Sequence, residues 1–449
     1  MGSTVRCIVA LATICGTMAT GHRTDASRIV AGPFQGPLAS GVPDGWVARF
    51  AACAGEDGRV GLCWIESEPR DLRRPATAPT AGGPEQEWAQ RPRSREAVFL
   101  NVAVLGQAGI EWRTTVPITS FLSSFSFPVA LGYSEGSWHL LVALHEGLLS
   151  GRFRQDELRR SQLLSNVQIP VFNNTGFWMF GRADRWHVFW TKTYWPRFSL
   201  PDFMGGRQRQ RIDSLLLDGQ GAGAVSTLHE MYKSAERSLA RDVSVIDAGG
   251  RYDALYVQSL FSRNESSDLP CELLHVRDLQ RGRRPVVRVA AGPISSPVAV
   301  TAGDGDLHVF WLSEVDGELS APNPGECMLY YELMEAHFTG NRWSKPGMIQ
   351  QAGNWLDGSL AAAVESETQS IMLVGRPFAG RVFECIVHQD GRWVQTGQVE
   401  MPGTVSRADS VLVNQTALVY CGGSVYALIT TMNKRLYWCF VTRRGNGGP

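Results

Sequence analysis

Two segments of this chain share four residues in a row: Trp186-His-Val-Phe-Trp-Thr-Lys192 and Leu307-His-Val-Phe-Trp-Leu-Ser313 both contain His-Val-Phe-Trp. Each follows a turn rich in Gly or Asp. The same apolar pattern recurs as Val60-Gly-Leu-Cys-Trp-Ile-Glu66, Trp138-His-Leu-Leu-Val-Ala-Leu144 and Tyr252-Asp-Ala-Leu-Tyr-Val-Gln258. It returns twice more, as Ser370-Ile-Met-Leu-Val-Gly-Arg376 and Val425-Tyr-Ala-Leu-Ile-Thr-Thr431. Starts 78, 48, 66, 55, 63 and 55 residues apart mark one structural unit repeated seven times. The pattern is apolar at successive positions rather than alternate ones, so the strand it predicts is covered on both faces.

Working outward, the neighbours correspond as well. A strand precedes the pattern, as in Phe127-Pro-Val-Ala-Leu-Gly132, Pro297–Val300 and Ser359–Val364. Another follows, as in Cys271–Val276, Cys327–Leu333 and Arg381–Val387, and a fourth opens on Trp112, Trp343 or Trp393. Four antiparallel strands in roughly 60 residues form a blade, and blades stacked around an axis bury both faces of the second strand. The predicted fold is all-β: a seven-bladed β-propeller of four-stranded antiparallel blades. After Val425–Thr431 only one strand remains, Arg435–Val441, so the last blade lacks its outer strand. Arg28-Ile-Val-Ala-Gly-Pro33 resembles the outer-strand segment Arg288-Val-Ala-Ala-Gly-Pro293, and an N-terminal strand is therefore expected to close the ring. The polar, helix-compatible stretch 228–242 is expected to form a short surface helix.

Of the 449 residues, 44% are apolar and 19% charged, enough to build a large core. Lys and Arg number 43 against 43 Asp and Glu, which argues against a general binder of nucleic acid or anionic membranes. Cys7–Ile14 is an apolar run after Arg6, followed by small residues through Ala19-Thr20-Gly21. It predicts a secretory signal peptide over 1–21, one propeller domain over 22–449, and a secreted or extracytoplasmic protein. No stretch approaches the roughly 20 apolar residues of a membrane span. The cysteines show neither C-x-x-C nor zinc spacing, and neither metal nor cofactor is expected. Cys53 and Cys63 flank a turn, where a disulfide and two buried free thiols are both open readings.

Long segments fall between second and third strands at 67–96, 193–211, 259–270 and 314–326. These loops share one face of a propeller, and one-sided decoration marks a binding face. The richest is Thr193-Tyr-Trp-Pro-Arg-Phe-Ser-Leu-Pro-Asp-Phe-Met204. Aromatic faces such as those of Tyr194 and Trp195 stack on sugar rings, and Arg197 with Asp202 can hydrogen-bond hydroxyls or carboxylates. Second-strand ends add Glu66, His145, Glu146, Glu314 and Arg376 to this face. His139, His187 and His308 occupy equivalent repeat positions in separate blades, so the blade template explains them better than a shared metal. Gly132-Tyr-Ser-Glu-Gly136 matches G-x-S-x-G but links two strands, where the nucleophile motif needs a strand, turn and helix.

Phe338-Thr-Gly-Asn-Arg-Trp343 and His388-Gln-Asp-Gly-Arg-Trp393 lie at turns between third and fourth strands. They resemble a degenerate Asp-box, the Ser-x-Asp-x-Gly-x-x-Trp turn of sialidase-like, BNR-type propellers. Their serine is missing, and Asp390 abuts Gly391. Arg28-Ile29-Val30 is a partial match to that family's Arg-Ile-Pro. The resemblance implies the propeller fold, whereas the family's arginine triad, Tyr/Glu pair and acid Asp have no counterpart located here. The expected function is a secreted, monomeric binding module that recognises a glycan or a protein through its decorated face. The alternative is a sialidase-like glycoside hydrolase or lyase, which would need two carboxylates about 5–10 Å apart in a central pocket.

Overall fold

The computed structural model describes residues 28–38, 46–67, 97–119, 128–144, 147–154, 157–164, 167, 176–182, 185–194, 209–218, 221–232, 240–259, 271–281, 285–303, 305–315, 330–350, 355–356, 358–377, 381–389, 391–402 and 413–444. They form seven antiparallel sheets, six of them ordered along the chain, arranged as a seven-bladed propeller. Blade 1 comprises Trp46–Ala54, Val60–Ser67, Ala97–Gly106 and Gly109–Thr119, from the innermost strand outward. Blades 2 to 6 follow the same plan and begin with inner strands Val129–Ser134, Phe177–Arg182, Arg241–Ala248, Ser295–Ala302 and Ala361–Val364. Blade 7 takes its first three strands from Val413–Gly422, Val425–Met432 and Arg435–Arg444, and its fourth from Arg28–Ala31 at the N-terminus.

The expected closure is thus present. Ile29 pairs with Arg443, and the chain continues along the same strand through Gly32 N–H to Phe440 O (2.9 Å) and Gln35 N–H to Trp438 O (2.7 Å). Ile29 is buried in the apolar layer between blades 6 and 7, so closure is made by packing as well as by the ladder.

The core is seven such layers, one between each pair of neighbouring blades. In the second strand of blade 3, Val188 and Trp190 pack toward blade 2 while Phe189 packs toward blade 4. In blade 5, Val309 and Trp311 face blade 4 and Phe310 faces blade 6. Successive side chains alternate between faces along a strand, and here each face meets a blade, which accounts for the unbroken apolar pattern.

Two kinds of joint hold the ring. Trp138 of blade 2 lies over Gly61 of blade 1, where a Cβ would collide with the indole, and its Nε1–H donates to Cys53 O at 3.0 Å. Trp186 of blade 3 covers Gly132 of blade 2 in the same way and stacks on His139 at 4.6 Å. Tyr252 of blade 4 packs on Phe189 (4.8 Å) and His187 (5.1 Å) of blade 3. These three residues open the repeated pattern in their blades.

Farther round, polar contacts take over. Between blades 4 and 5, fully buried Asp253 accepts from Arg251 Nε (2.8 Å), the Asp278 N–H (2.8 Å) and His275 Nε2 (3.1 Å). His275 Nδ1 in turn accepts from Trp343 Nε1 at 3.3 Å. Burial alone would raise the Asp253 carboxyl, but the bonds from His275, Arg251 and Asp278 overcome it and hold the group at about 2. Trp393 of blade 6 similarly donates to Glu335 of blade 5 at 2.9 Å. The two tryptophans of the Asp-box-like turns therefore each tie their blade to the one before. Between blades 6 and 7, Glu365 and Arg443 form a buried ion pair at 2.8 Å, which Ser424 and Gln389 complete with hydrogen bonds.

One expectation changes, and one open reading is decided. The described residues of 228–242 are strand rather than helix: Ser226–Tyr232 pairs with the third strand of blade 3, with Met231 buried, and Arg241 already belongs to blade 4, while 233–239 lie outside the described residues. Sheet pairing and burial outweigh a polar, helix-compatible composition. Among the described residues the one helix is the 3₁₀ turn Leu279–Arg281. Cys53 lies opposite Gly61 and Cys63 opposite Ala51, two places apart in register, and both thiols are free. Gly132–Gly136 is a hairpin whose turn residues Glu135 and Gly136 have positive φ.

Candidate ligand-binding face

Each inner strand starts on the face where second strands end, because the strands of a blade alternate in direction. The second strands that end here precede segments 68–96, 195–208, 260–270 and 316–329, which lie outside the described residues. At its centre is a cavity of about 380 Å³ between the inner strands of blades 7, 1, 2 and 3. Its lining includes Arg49, Phe50, Pro128, Phe177, Trp178, Phe180 and Gln415, mostly from the starts of those strands, so it lies toward the loop-bearing end of the axis.

The chemistry of this mouth is simple. Arg49 is its one charged lining residue among those described, and burial lowers the guanidinium pKa without discharging it. The Trp178 indole folds over Gly176, where a Cβ would meet the ring, and so presents a flat apolar wall. Gln415 bridges blades 7 and 1: its Oε1 accepts from Phe50 N–H (3.2 Å) and its Nε2 donates to Phe50 O (3.0 Å). A side chain thereby replaces one ladder step between two inner strands and holds the wall beside Arg49. No carboxylate belongs to the described lining.

Of the residues singled out in the sequence, Trp195, Arg197, Asp202, His145 and Glu146 lie outside the described residues. The other four come from four blades, each with its own surroundings. Glu66 is only 3% exposed and accepts from Asn101 Nδ2 at 3.3 Å, while Thr115 donates to Asn101 Oδ1 at 2.7 Å. Arg376 is buried, and its N–H donates to Ser359 Oγ at 3.0 Å. Glu314 stands exposed on blade 5.

Tyr194 donates to Glu230 at 3.0 Å, and the Arg211 guanidinium lies 5.0 Å above its ring. Burial and the bond to Glu230 both raise the phenol pKa, so the hydroxyl keeps its proton. Glu230 sits on the outermost strand, which puts this cluster at the perimeter, away from the mouth.

Blades 1 and 3 repeat one polar device. Asn101 faces Trp64 across the strands and is bonded by Thr115; Asp213 faces Trp190 and is bonded by Thr227 at 2.9 Å. Arg211 adds an ion pair to Asp213 at 2.8 Å. The sequence reading missed Asn101 and Asp213, as well as Arg49, Trp178 and Gln415. The available signal was a lone polar residue inside an apolar strand, as in Trp46-Val-Ala-Arg-Phe-Ala-Ala-Cys-Ala54. His139, His187 and His308 sit on second strands of blades 2, 3 and 5, and among the described residues no His, Cys, Asp or Glu cluster has metal-holding geometry.

No protein-family model and no curated protein matches the chain. Solved structures similar to it include the α-L-arabinanase of Penicillium chrysogenum complexed with arabinobiose, at 11% identity and TM-score 0.42, covering 70% of this chain and 92% of that one. The GH93 α-L-arabinofuranosidase of Fusarium graminearum, complexed with arabinobiose, matches at 9% identity and TM-score 0.42, covering 71% and 93%. The N-terminal domain of Nup159 matches at 9% identity and TM-score 0.41, covering 94% and 97%. At such scores none of these likenesses assigns the chain an activity.

Proposed function

We propose that this chain is an exported binding module that recognises a glycan at the axial mouth of its loop-bearing face. One observation carries the reading: a cavity of about 380 Å³ on the axis combines an aromatic wall, Trp178, with a single cation, Arg49. An aromatic face suits the apolar side of a sugar ring, and a guanidinium donates to hydroxyls or a carboxylate. Trp195, Arg197, Asp202, His145 and Glu146 lie outside the described residues and carry no part of this reading. Hydrolysis would need a carboxylate pair, which would have to come from outside the described lining; recognition needs nothing beyond the groups already there.

The test is a panel of immobilised glycans probed with the whole protein, Trp178→Ala and Arg49→Gln. Selective retention should fall about tenfold or more in both variants, since each loses a contact worth about 1–2 kcal/mol. No retained glycan, or retention indifferent to both changes, sinks the reading. Release of reducing sugar from a retained glycan would replace it with the hydrolase. Sequencing the N-terminus of the mature protein tests export.

A further inference from the structure

The outer strand of blade 4, Val286–Gly292, carries two exposed valines in succession. Pro285, Val286, Val287 and Arg288 are exposed in succession, and because side chains alternate along a strand, neither face is covered there. Val286 is 42% exposed, Val287 41%, and Met348 on the outer strand of blade 5 46%. This strand is also the last of its sheet, so one backbone edge faces outward. Two other perimeter strands are blunted: that of blade 5 is broken into Arg342–Trp343 and Gly347–Met348, and that of blade 3 is split before Ser226.

Exposed cations lie on the turn before this strand, on the strand itself and on the outer turn of blade 5. The side chains of Arg281 and Arg288 are 75% and 64% exposed, and Arg342 and Lys345 are exposed as well. Arg277 lies 5.5 Å from the Phe338 ring and donates to Asn341, which fixes the Arg342 turn of blade 5 against blade 4. The carboxylates bonded here are two: Asp278, bound to Arg281, and Glu272, bound to Arg288 and itself nearly buried. The patch is therefore net positive in a chain whose charges balance overall.

We propose that this edge binds an extended acidic peptide by strand addition. The peptide backbone pairs with Val286–Gly292, its apolar residues cover Val286 and Val287, and its carboxylates meet Arg281 and Arg288. A nucleic acid or sulfated glycan would use the cations but gain nothing from the valines or the free edge. The site is on the perimeter and independent of the axial mouth.

The experiment measures anisotropy of a fluorescein-labelled twelve-residue peptide of alternating Val and Glu, titrated with the whole protein. Binding is expected, with affinity falling about tenfold or more in Arg281→Glu/Arg288→Glu and severalfold in Val286→Ser/Val287→Ser. Val286 and Val287 are exposed, so the melt of the serine variant should match the parent; Arg288→Glu faces nearly buried Glu272 and should lower the melt, so Arg281→Glu alone, at an exposed cation, keeps the charge test independent of folding. A peptide with Lys in place of Glu should not bind. Failure of the acidic peptide to bind, or affinity unchanged by charge reversal, overturns the proposal. Heparin binding as tightly as the peptide, with the serine variant unaffected, would also overturn it in favour of a polyanion site.

Discussion

The joints linking blades 1 to 4 and those linking blades 4 to 7 solve one problem with different physics. In the first half a large ring from one blade rests where its neighbour gives way, as Trp138 does on Gly61 and Trp186 on Gly132. In the second half buried polar groups reach across, as Trp343 does to His275, Trp393 to Glu335, and Arg443 to Glu365. The Trp138 joint on Gly61 depends on shape and involves no charged side chain. Polar joints depend on every partner being present, because a buried charge left alone costs more than the pair contributes.

The comparison can be broken at Trp138. Trp138→Ala removes a nearly buried ring and leaves Cys53 O without its donor, so a loss of about 5 kcal/mol is expected in denaturant unfolding. The loss should be the same at pH 5 and pH 8. A loss below about 1 kcal/mol would mean that the glycine seat is incidental.

Arg443→Met comes next. It strands Glu365, only 2% exposed, and should cost about 3–4 kcal/mol at neutral pH. Adding Glu365→Leu should recover much of that, because no buried charge then lacks a partner. Trp138→Ala admits no such rescue. Equal instability of the single and double variants would erase the distinction between the halves.

The smallest effect is an acid transition at Asp253. Its carboxyl is held at about 2 against an ordinary 3.8, so the linked stability is present above pH 4 and is lost as pH falls toward 2. That amounts to about 2 kcal/mol. Asp253→Asn should be less stable at neutral pH yet lose less on acidification, read from melts between pH 4 and pH 2. Parallel acid profiles for parent and variant would remove Asp253 from the joint. His139 and His308, pushed down to about 4 chiefly by burial, lie one in each half. They weaken the fold together between pH 6.5 and 4, and so do not blur the Asp253 window.

Much of the architecture was legible because repetition is a local signal. His-Val-Phe-Trp at 187–190 and 308–311 announces the same strand twice, and its unbroken apolarity announces two covered faces. Segment 226–232 was misread because a polar stretch with no repeat partner has only propensity to speak for it, and propensity yields to a neighbouring strand. The candidate site was less legible. Glu66 and Arg376 follow the pattern to the correct face, but the depth to which each is buried depends on neighbouring strands far away in sequence.

What the sequence determined by itself is what a single strand can encode: the seven repeats, the spare outer place in blade 7, and the face that carries the long segments. Tertiary structure alone decided which side chains meet. Arg49, Trp178 and Gln415 converge only because the starts of inner strands point to one axis, although Arg49 and Gln415 lie 366 residues apart in the chain. Periodicity is written along the chain, whereas a mouth between four blades is written across it, in contacts that no local pattern records.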